Sequence, residues 1–251
     1  MSDFGKAPNG EVVKKFKLTN SNGLSMEVIN YGAIITNLNV PDSSGSLKDV
    51  VLGFNDFNNY YENNPYFGAI IGRYGNRISN GTFLLDGVRY ELEQNNGTNS
   101  LHGGLVGFDK VFWKFIEEKS SNQSLYFEYY SKDMEGGFPG NLVVGVEYIL
   151  NDSNELKIKY TASTDKKTII NLTQHSYFNL SGESSGDILD HILNIDAEYY
   201  LPVNENMIPY GPYEKVESTP FDFNIPKKIG SDIFADDIQP VSYTHLTLPT
   251  T

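Results

Sequence analysis

The chain has 251 residues, no cysteine, 19 basic against 32 acidic side chains, and a formal charge of −13. Without thiols it can form neither a disulfide framework nor a thiolate metal site nor a cysteine nucleophile, and its negative charge repels phosphate backbones and anionic lipid. With 39% apolar and 20% charged residues it has the composition of a folded globular protein, long enough for one large all-β domain or two small ones.

The first 17 residues are polar and lack the apolar run of a signal peptide, and no later stretch approaches the ~20 apolar residues of a membrane span. The expectation is a soluble cytoplasmic protein with neither membrane nor nucleic-acid partner. A strand is expected from Glu11 to Leu18. Next, Leu24, Met26 and Val28 point one way while Ser25 and Glu27 point the other, the period of a half-buried strand. Ile34 to Val40 follows in the same style. The clearest local signal is Thr82 to Leu85, then Asp86-Gly87, then Val88 to Leu92, a hairpin whose Asp-Gly pair supplies the positive φ angles of a type I′ turn.

Ser124 to Ser131 is rich in aromatic residues and predicts another strand. Val144, Val146, Tyr148 and Leu150 alternate up to the turn cluster Asn151 to Asn154, and Leu156, Ile158 and Tyr160 alternate away from it, so a second hairpin is expected. His191 to Ala197 completes the set. Helical spacing is scarce. No repeat, low-complexity tract or linker interrupts the pattern, which predicts an all-β chain folded as one large antiparallel β-sandwich. The uncharged run Val241 to Thr251 breaks the texture and reads either as a foreign tail or as an edge strand.

Four histidines, His102, His175, His191 and His245, are the side chains best suited to proton exchange near neutral pH. His102 sits in Asn99-Ser100-Leu101-His102-Gly103-Gly104, where the glycines allow close approach of backbone or ligand. His175 lies in a run of hydrogen-bonding side chains, Asn171 to Leu180, which suits either a satisfied buried network or a polar ligand pocket. Neither has a partner at metal-ligand spacing, so no metal is implied. His191, in a strand-like context that supplies no partner, reads as structural. Gly72-Arg73-Tyr74-Gly75-Asn76-Arg77 lacks the spacing of a phosphate loop, and on spacing alone its two arginines read as surface ion pairs.

Six ordered segments together closely resemble the aldose 1-epimerase, or galactose mutarotase, family. They are Phe67 to Arg73 leading to Asn76-Arg77-Ile78, Asn99 to Gly104, Gly107-Phe108-Asp109-Lys110, Glu135 to Gly140, Asn171-Leu172-Thr173 with His175 to Leu180, and Tyr200-Leu201-Pro202-Val203. The resemblance runs from about Val13 to Gln239 and implies that family's large sandwich. It also implies interconversion of the anomers of free aldoses such as galactose and glucose, without a cofactor and with a monosaccharide as partner. It implies that His175 is the general acid, as imidazolium, that His102 lies beside the ring oxygen, and that Asn76 and Arg77 bind sugar hydroxyls, with Tyr177 lining the pocket.

Two further carboxylates of the family site, an Asp in a Gly-Tyr/Phe-Asp-His-Asn segment and a general-base Glu, have no counterpart in this sequence. The expectation is therefore an incomplete epimerase domain over 1–240 and a non-native tail over 241–251, with impaired turnover and no role carried over to Asp236, Asp237 or His245. The alternative is a sandwich that binds carbohydrate without turning it over.

Overall fold

A computed structural model of the chain describes residues 1–62, 65–233 and 235. The expected non-native tail over 241–251, with His245, and Asp236 and Asp237 before it, lies outside them. The chain divides into two compact units, Met1–Phe178 and Asn179–Thr251, at a boundary that no linker composition marks.

The first unit opens with an antiparallel sheet of five strands in sequential order: β1 (Ser2–Lys6), β2 (Val12–Thr19), β3 (Ser25–Ile29), β4 (Ile35–Pro41) and β5 (Leu47–Asp49). The expected alternation in β3 is present, because Leu24, Met26 and Val28 are all buried. The opposite face is not simply open to water: Ser25 is buried, and Glu27 pairs with Lys15 at 2.7 Å.

A short helix, α1 (Phe57–Glu62), follows. Asp56 caps it, accepting from the Asn59 main-chain N–H at 3.1 Å, and Phe57 and Tyr60 are its buried face. Six residues are too few to show helical periodicity, so only the Asp-x-x-Asn cap could have announced it.

Between the sheets the strands shrink to β6 (Ile70–Ile71), β7 (Arg77–Ile78), β8 (Thr82–Leu85), β9 (Val88–Glu91) and β10 (Ser100–Leu101). β8 and β9 form the expected hairpin, and its turn residues Asp86 (φ 51°) and Gly87 (φ 78°) have the signs a type I′ turn requires. The second large sheet orders β11 (Lys114–Phe115), β12 (Ser124–Ser131), β13 (Leu142–Leu150) and β14 (Leu156–Thr164), the last two being the hairpin around Asn151 to Asn154. β15 (Thr173–Gln174) returns to pair with β6.

The two large sheets pack face to face. Phe16 of β2 meets Phe115 of β11 at 4.5 Å and Phe127 of β12 at 5.2 Å between ring centroids. The core between them takes Met26 and Val28 from one side and Val144, Val146 and Tyr148 from the other. Each large apolar side chain buried there is worth roughly 1.5–3 kcal/mol, and the Tyr148 hydroxyl is satisfied by the Ala33 carbonyl at 2.6 Å. Trp113 joins this cluster, its indole N–H donating to the Phe108 carbonyl at 3.0 Å. A second cluster gathers Ile29, Phe57, Tyr60, Phe67, Ala69 and Ile71, with Tyr177 packed against it.

In the second unit the described strands are two-residue pairs, β16 (Ile192–Leu193) with β19 (Lys227–Lys228) and β17 (Tyr199–Tyr200) with β18 (Glu214–Lys215). The strand expected from His191 to Ala197 stops after Leu193. Beyond it the Asn194 side chain donates to the Phe223 and Asn224 carbonyls, and the Ile195 N–H shares the Phe223 carbonyl at 2.9 Å, so side-chain bonds take over part of the pairing there.

Candidate active site

Two strips of the first unit carry the two histidines, and the turn at Tyr66 packs against both. Antiparallel pairing of β15 with β6 sets the first, and the ladder runs on as the His175 main-chain N–H donates to the Ala69 carbonyl at 2.9 Å and the Gly68 N–H to the His175 carbonyl at 3.1 Å. Pairing of β10 with β7, Leu101 opposite Arg77, sets the second. Asn76 and His102 are joined twice: the His102 N–H donates to the Asn76 carbonyl at 3.1 Å, and the Asn76 N–H donates to His102 Nδ1 at 2.9 Å. That second bond assigns Nδ1 as acceptor, so the neutral ring carries its proton on Nε2.

The rings of His102 and His175 stand edge to face with centroids 5.2 Å apart. Tyr66 packs against both, at 4.7 Å from His102 and 5.6 Å from His175, and Tyr177 lies 5.1 Å from His175. Of the sequence-derived candidates, His102, His175 and Tyr177 thus share one aromatic cluster. Asn76 is exposed beside it, and Arg77 donates from Nε to Asn96 Oδ1 at 2.9 Å and from Nη1 to Asn76 Oδ1 at 3.3 Å. His191 belongs to the second unit, where it does have a partner: its Nε2 accepts from the Leu180 N–H at 3.0 Å.

Tyr66 (φ 66°), Asn76 (φ 65°) and His102 (φ 55°) all adopt the left-handed region. Such positions cost of order 1 kcal/mol or more for a residue with a Cβ and persist only where surrounding bonds over-determine them. The glycine after His102 shows how tight the seam is, since a Cβ on Gly103 would sit 1.9 Å from the Gly72 carbonyl oxygen. The approach that Gly103 permits is therefore of backbone to backbone.

Burial, the neighbouring His175 and Arg77 together push the His102 imidazole down to about 4, and burial also holds His175 below the ordinary histidine value. Neither ring is hydrogen-bonded or ion-paired to a carboxylate among the described residues. Both are therefore held mainly neutral at pH 7, whereas the resemblance implies an imidazolium at 175. A proton placed on His175 is held loosely and given up readily. The charge of Asp109 is felt at Tyr66; Asp109 is a buried carboxylate raised by desolvation, whose Oδ1 has no hydrogen-bond partner among the described residues and whose Oδ2 is 3.7 Å from Lys110 Nζ.

Arg73 is not the surface ion pair its spacing suggested. It is 2% exposed, and its guanidinium donates to Ser131 Oγ and to the carbonyls of Ser131, Lys132, Phe138 and Pro139. Ser131 Oγ in turn donates to Glu135, which also accepts from the Tyr129 hydroxyl at 2.7 Å. Ser131-Lys132 and Phe138-Pro139 thus form a cradle for Arg73, braced by Glu135. The Arg73 carbonyl accepts from the Asn171 N–H at 2.9 Å, which ties that cradle to the strip leading to His175. Sequence reasoning missed this network, as it missed Tyr66 and Asn96. The only available hint for Arg73 was an arginine flanked by glycine in an apolar strip.

The aldose 1-epimerase family model matches residues 14–244. The chain belongs to the aldose 1-epimerase family. It is 46% identical to galactose mutarotase of Sus scrofa over 92% of this chain and 67% of the relative, and 45% identical to that of Homo sapiens over 92% and 66%. Aldose 1-epimerase of Escherichia coli K12 is 40% identical over 93% and 66%. The chain thus spans about two thirds of the length of these relatives. Among solved structures, galactose 1-epimerase from Lactobacillus acidophilus superposes with a TM-score of 0.84 at 29% identity, over 96% of this chain and 69% of that one. An aldose epimerase homologue from C. elegans gives 0.83 at 30% identity, over 90% and 69%. The all-β family fold expected from the sequence is the one found. No helix among the described residues is long and apolar enough to cross a membrane.

Proposed function

We propose that this chain interconverts the α and β anomers of free aldohexoses, galactose and glucose among them, by opening and reclosing the pyranose ring without a cofactor. Family membership supports the reaction class, and one geometric observation carries the reading: two imidazoles 5.2 Å apart, edge to face, share an aromatic cluster with Tyr66 and Tyr177. In the reaction water takes the proton of the C1 hydroxyl, the family's general-base Glu having no counterpart in this sequence, while an acid protonates the ring oxygen, the C1–O5 bond breaks, and an open-chain aldehyde forms. Rotation about C1–C2 and the reverse proton movements close the other anomer.

His175 gives its proton to the ring oxygen. A loosely held proton suits that duty, because transfer becomes more favourable as the donor's pKa falls, at the cost of a smaller protonated fraction. His102, whose Nε2 is left as the donor by the Asn76 bond, holds the ring oxygen and balances charge developing there. Asn76 and Arg77 bind sugar hydroxyls, and Tyr177 lines the pocket.

Polarimetry of freshly dissolved α-D-galactose tests this. The chain should approach equilibrium faster than the spontaneous reaction, and His175→Ala should lower kcat by about 10²–10⁴-fold with a smaller change in KM, since proton transfer matters chiefly in the transition state. An unchanged spontaneous rate with the unaltered chain, together with calorimetric binding of galactose, would favour carbohydrate binding without turnover instead.

A further inference from the structure

We infer that Asn95 is a positioning residue that holds the His102 ring in its working orientation, by clamping both ends of the turn that carries it. Its side chain spends every polar atom on that turn. Oδ1 accepts from the Leu101 N–H at 2.7 Å, while Nδ2 donates to the Leu101 carbonyl at 2.9 Å and to the Gly104 carbonyl at 2.8 Å. These partners bracket His102 and Gly103, which with Gly104 make three consecutive residues at positive φ, 55°, 96° and 103°.

The main chain supports this turn with two bonds, from the His102 N–H to the Asn76 carbonyl and from the Gly104 N–H to the Leu101 carbonyl, each at 3.1 Å, although β10 itself is two residues long and ends at Leu101. A left-handed histidine needs bonds on both sides to keep its φ, and the Asn95 side chain adds three bonds before and after the ring to the single main-chain bond that spans the turn. A local Asx turn is a poor account of the residue. Such turns bond two residues on, whereas the Asn95 partners lie six and nine residues away. The groups that face the ring so held are His175, Arg77 and Tyr66.

The word "working" rests on the reading under Proposed function, so the first readout does not use activity. With only four histidines in the chain, ¹⁵N-imidazole NMR resolves each ring. Asn95→Ala should shift the His102 titration upward toward the ordinary value near 6.5, and should weaken the Nδ1-acceptor tautomer signature, with His191 unmoved. Asn151→Ala provides a control, because Asn151 Oδ1 likewise accepts from two main-chain N–H groups, those of Ser153 and Glu155, in a turn between β13 and β14. It should lower the melting temperature and leave His102 unchanged.

In polarimetry, Asn95→Ala should lower kcat by about 10–100-fold while KM changes by less than about 3-fold, the pattern of a misplaced group rather than lost binding. Asn95→Asp keeps the size and the acceptor but turns one oxygen toward two carbonyls, and should give the same His102 shift. A His102 titration and tautomer identical to the unaltered chain in both variants would overturn the proposal, as would loss of folding in both, which would assign Asn95 to the fold alone. A shifted His102 in a protein that never accelerates mutarotation would instead count against the functional reading and leave the Asn95 assignment standing.

Discussion

The sandwich core and the histidine loops belong to the same unit but are stabilised by different means. Between the sheets, strands of eight and nine residues pair over their full length, and apolar side chains such as Phe127 and Val146 are completely buried. Around the histidines, strands are two residues long, three non-glycine residues sit at positive φ, and side-chain amides and a guanidinium make the bonds that a ladder makes elsewhere. The core is held by non-directional burial, which tolerates substitution of like for like. The loops are held by directional bonds, each with few substitutes. Stability and geometry are therefore separable by mutation.

The sharpest way to break that separation is a cavity in the core. Phe127→Ala should cost about 3–5 kcal/mol, seen as a lower urea midpoint at unchanged slope, while kcat and KM of the folded fraction stay as they were. A change in kcat comparable to that of His175→Ala would mean that the core transmits strain to the loops and that the two regions are one. Arg73→Lys probes the border. Lysine offers three donors where the guanidinium offers five, so one or more of the carbonyls of Ser131, Lys132, Phe138 and Pro139 lose their partner, at about 1–3 kcal/mol. Unlike the core variant, it should also lower turnover, because the Arg73 main chain is bonded to Asn171 on the strip leading to His175.

The smallest effect concerns pH. The folded protein holds His102 at about 4 against 6.5 in an unfolded chain, so between these values the unfolded state binds more protons. Stability should be fully present above pH 6.5 and decline as pH falls toward 4. After allowance for residual solvent exposure the decline is on the order of 1 kcal/mol. Urea titrations at pH 7 and pH 4.5 would measure it, and His102→Ala should flatten the difference. An unflattened curve would place the acid sensitivity elsewhere.

The same contrast explains what the amino-acid order discloses. Ser124 to Ser131 and the Asp86-Gly87 turn are legible because period-two burial and positive φ leave local marks in composition. His102, His175, Asn76, Arg77 and Tyr177 were singled out through motif resemblance; His102, His175 and Tyr177 share one aromatic cluster, with Asn76 bonded to His102 and Arg77 to Asn76 beside it. Arg73, Tyr66 and Asn95 were not found, because their meaning lies in partners far along the chain: Arg73 reaches 58 to 66 residues away, beyond any local pattern. The helix α1 was missed for want of length, and the strand at His191 was overdrawn because apolar alternation says nothing of Asn194 capturing carbonyls.

One buried bond makes the histidine loops observable from behind. Trp113 is the chain's single tryptophan, and its indole N–H is fixed to the carbonyl of Phe108, the residue whose own N–H is bonded to the Gly72 oxygen that Gly103 packs against. Intrinsic tryptophan fluorescence therefore has one emitter, seated three links from the His102 turn. Its wavelength and lifetime form a built-in gauge of whether that turn is seated, readable without label or substrate.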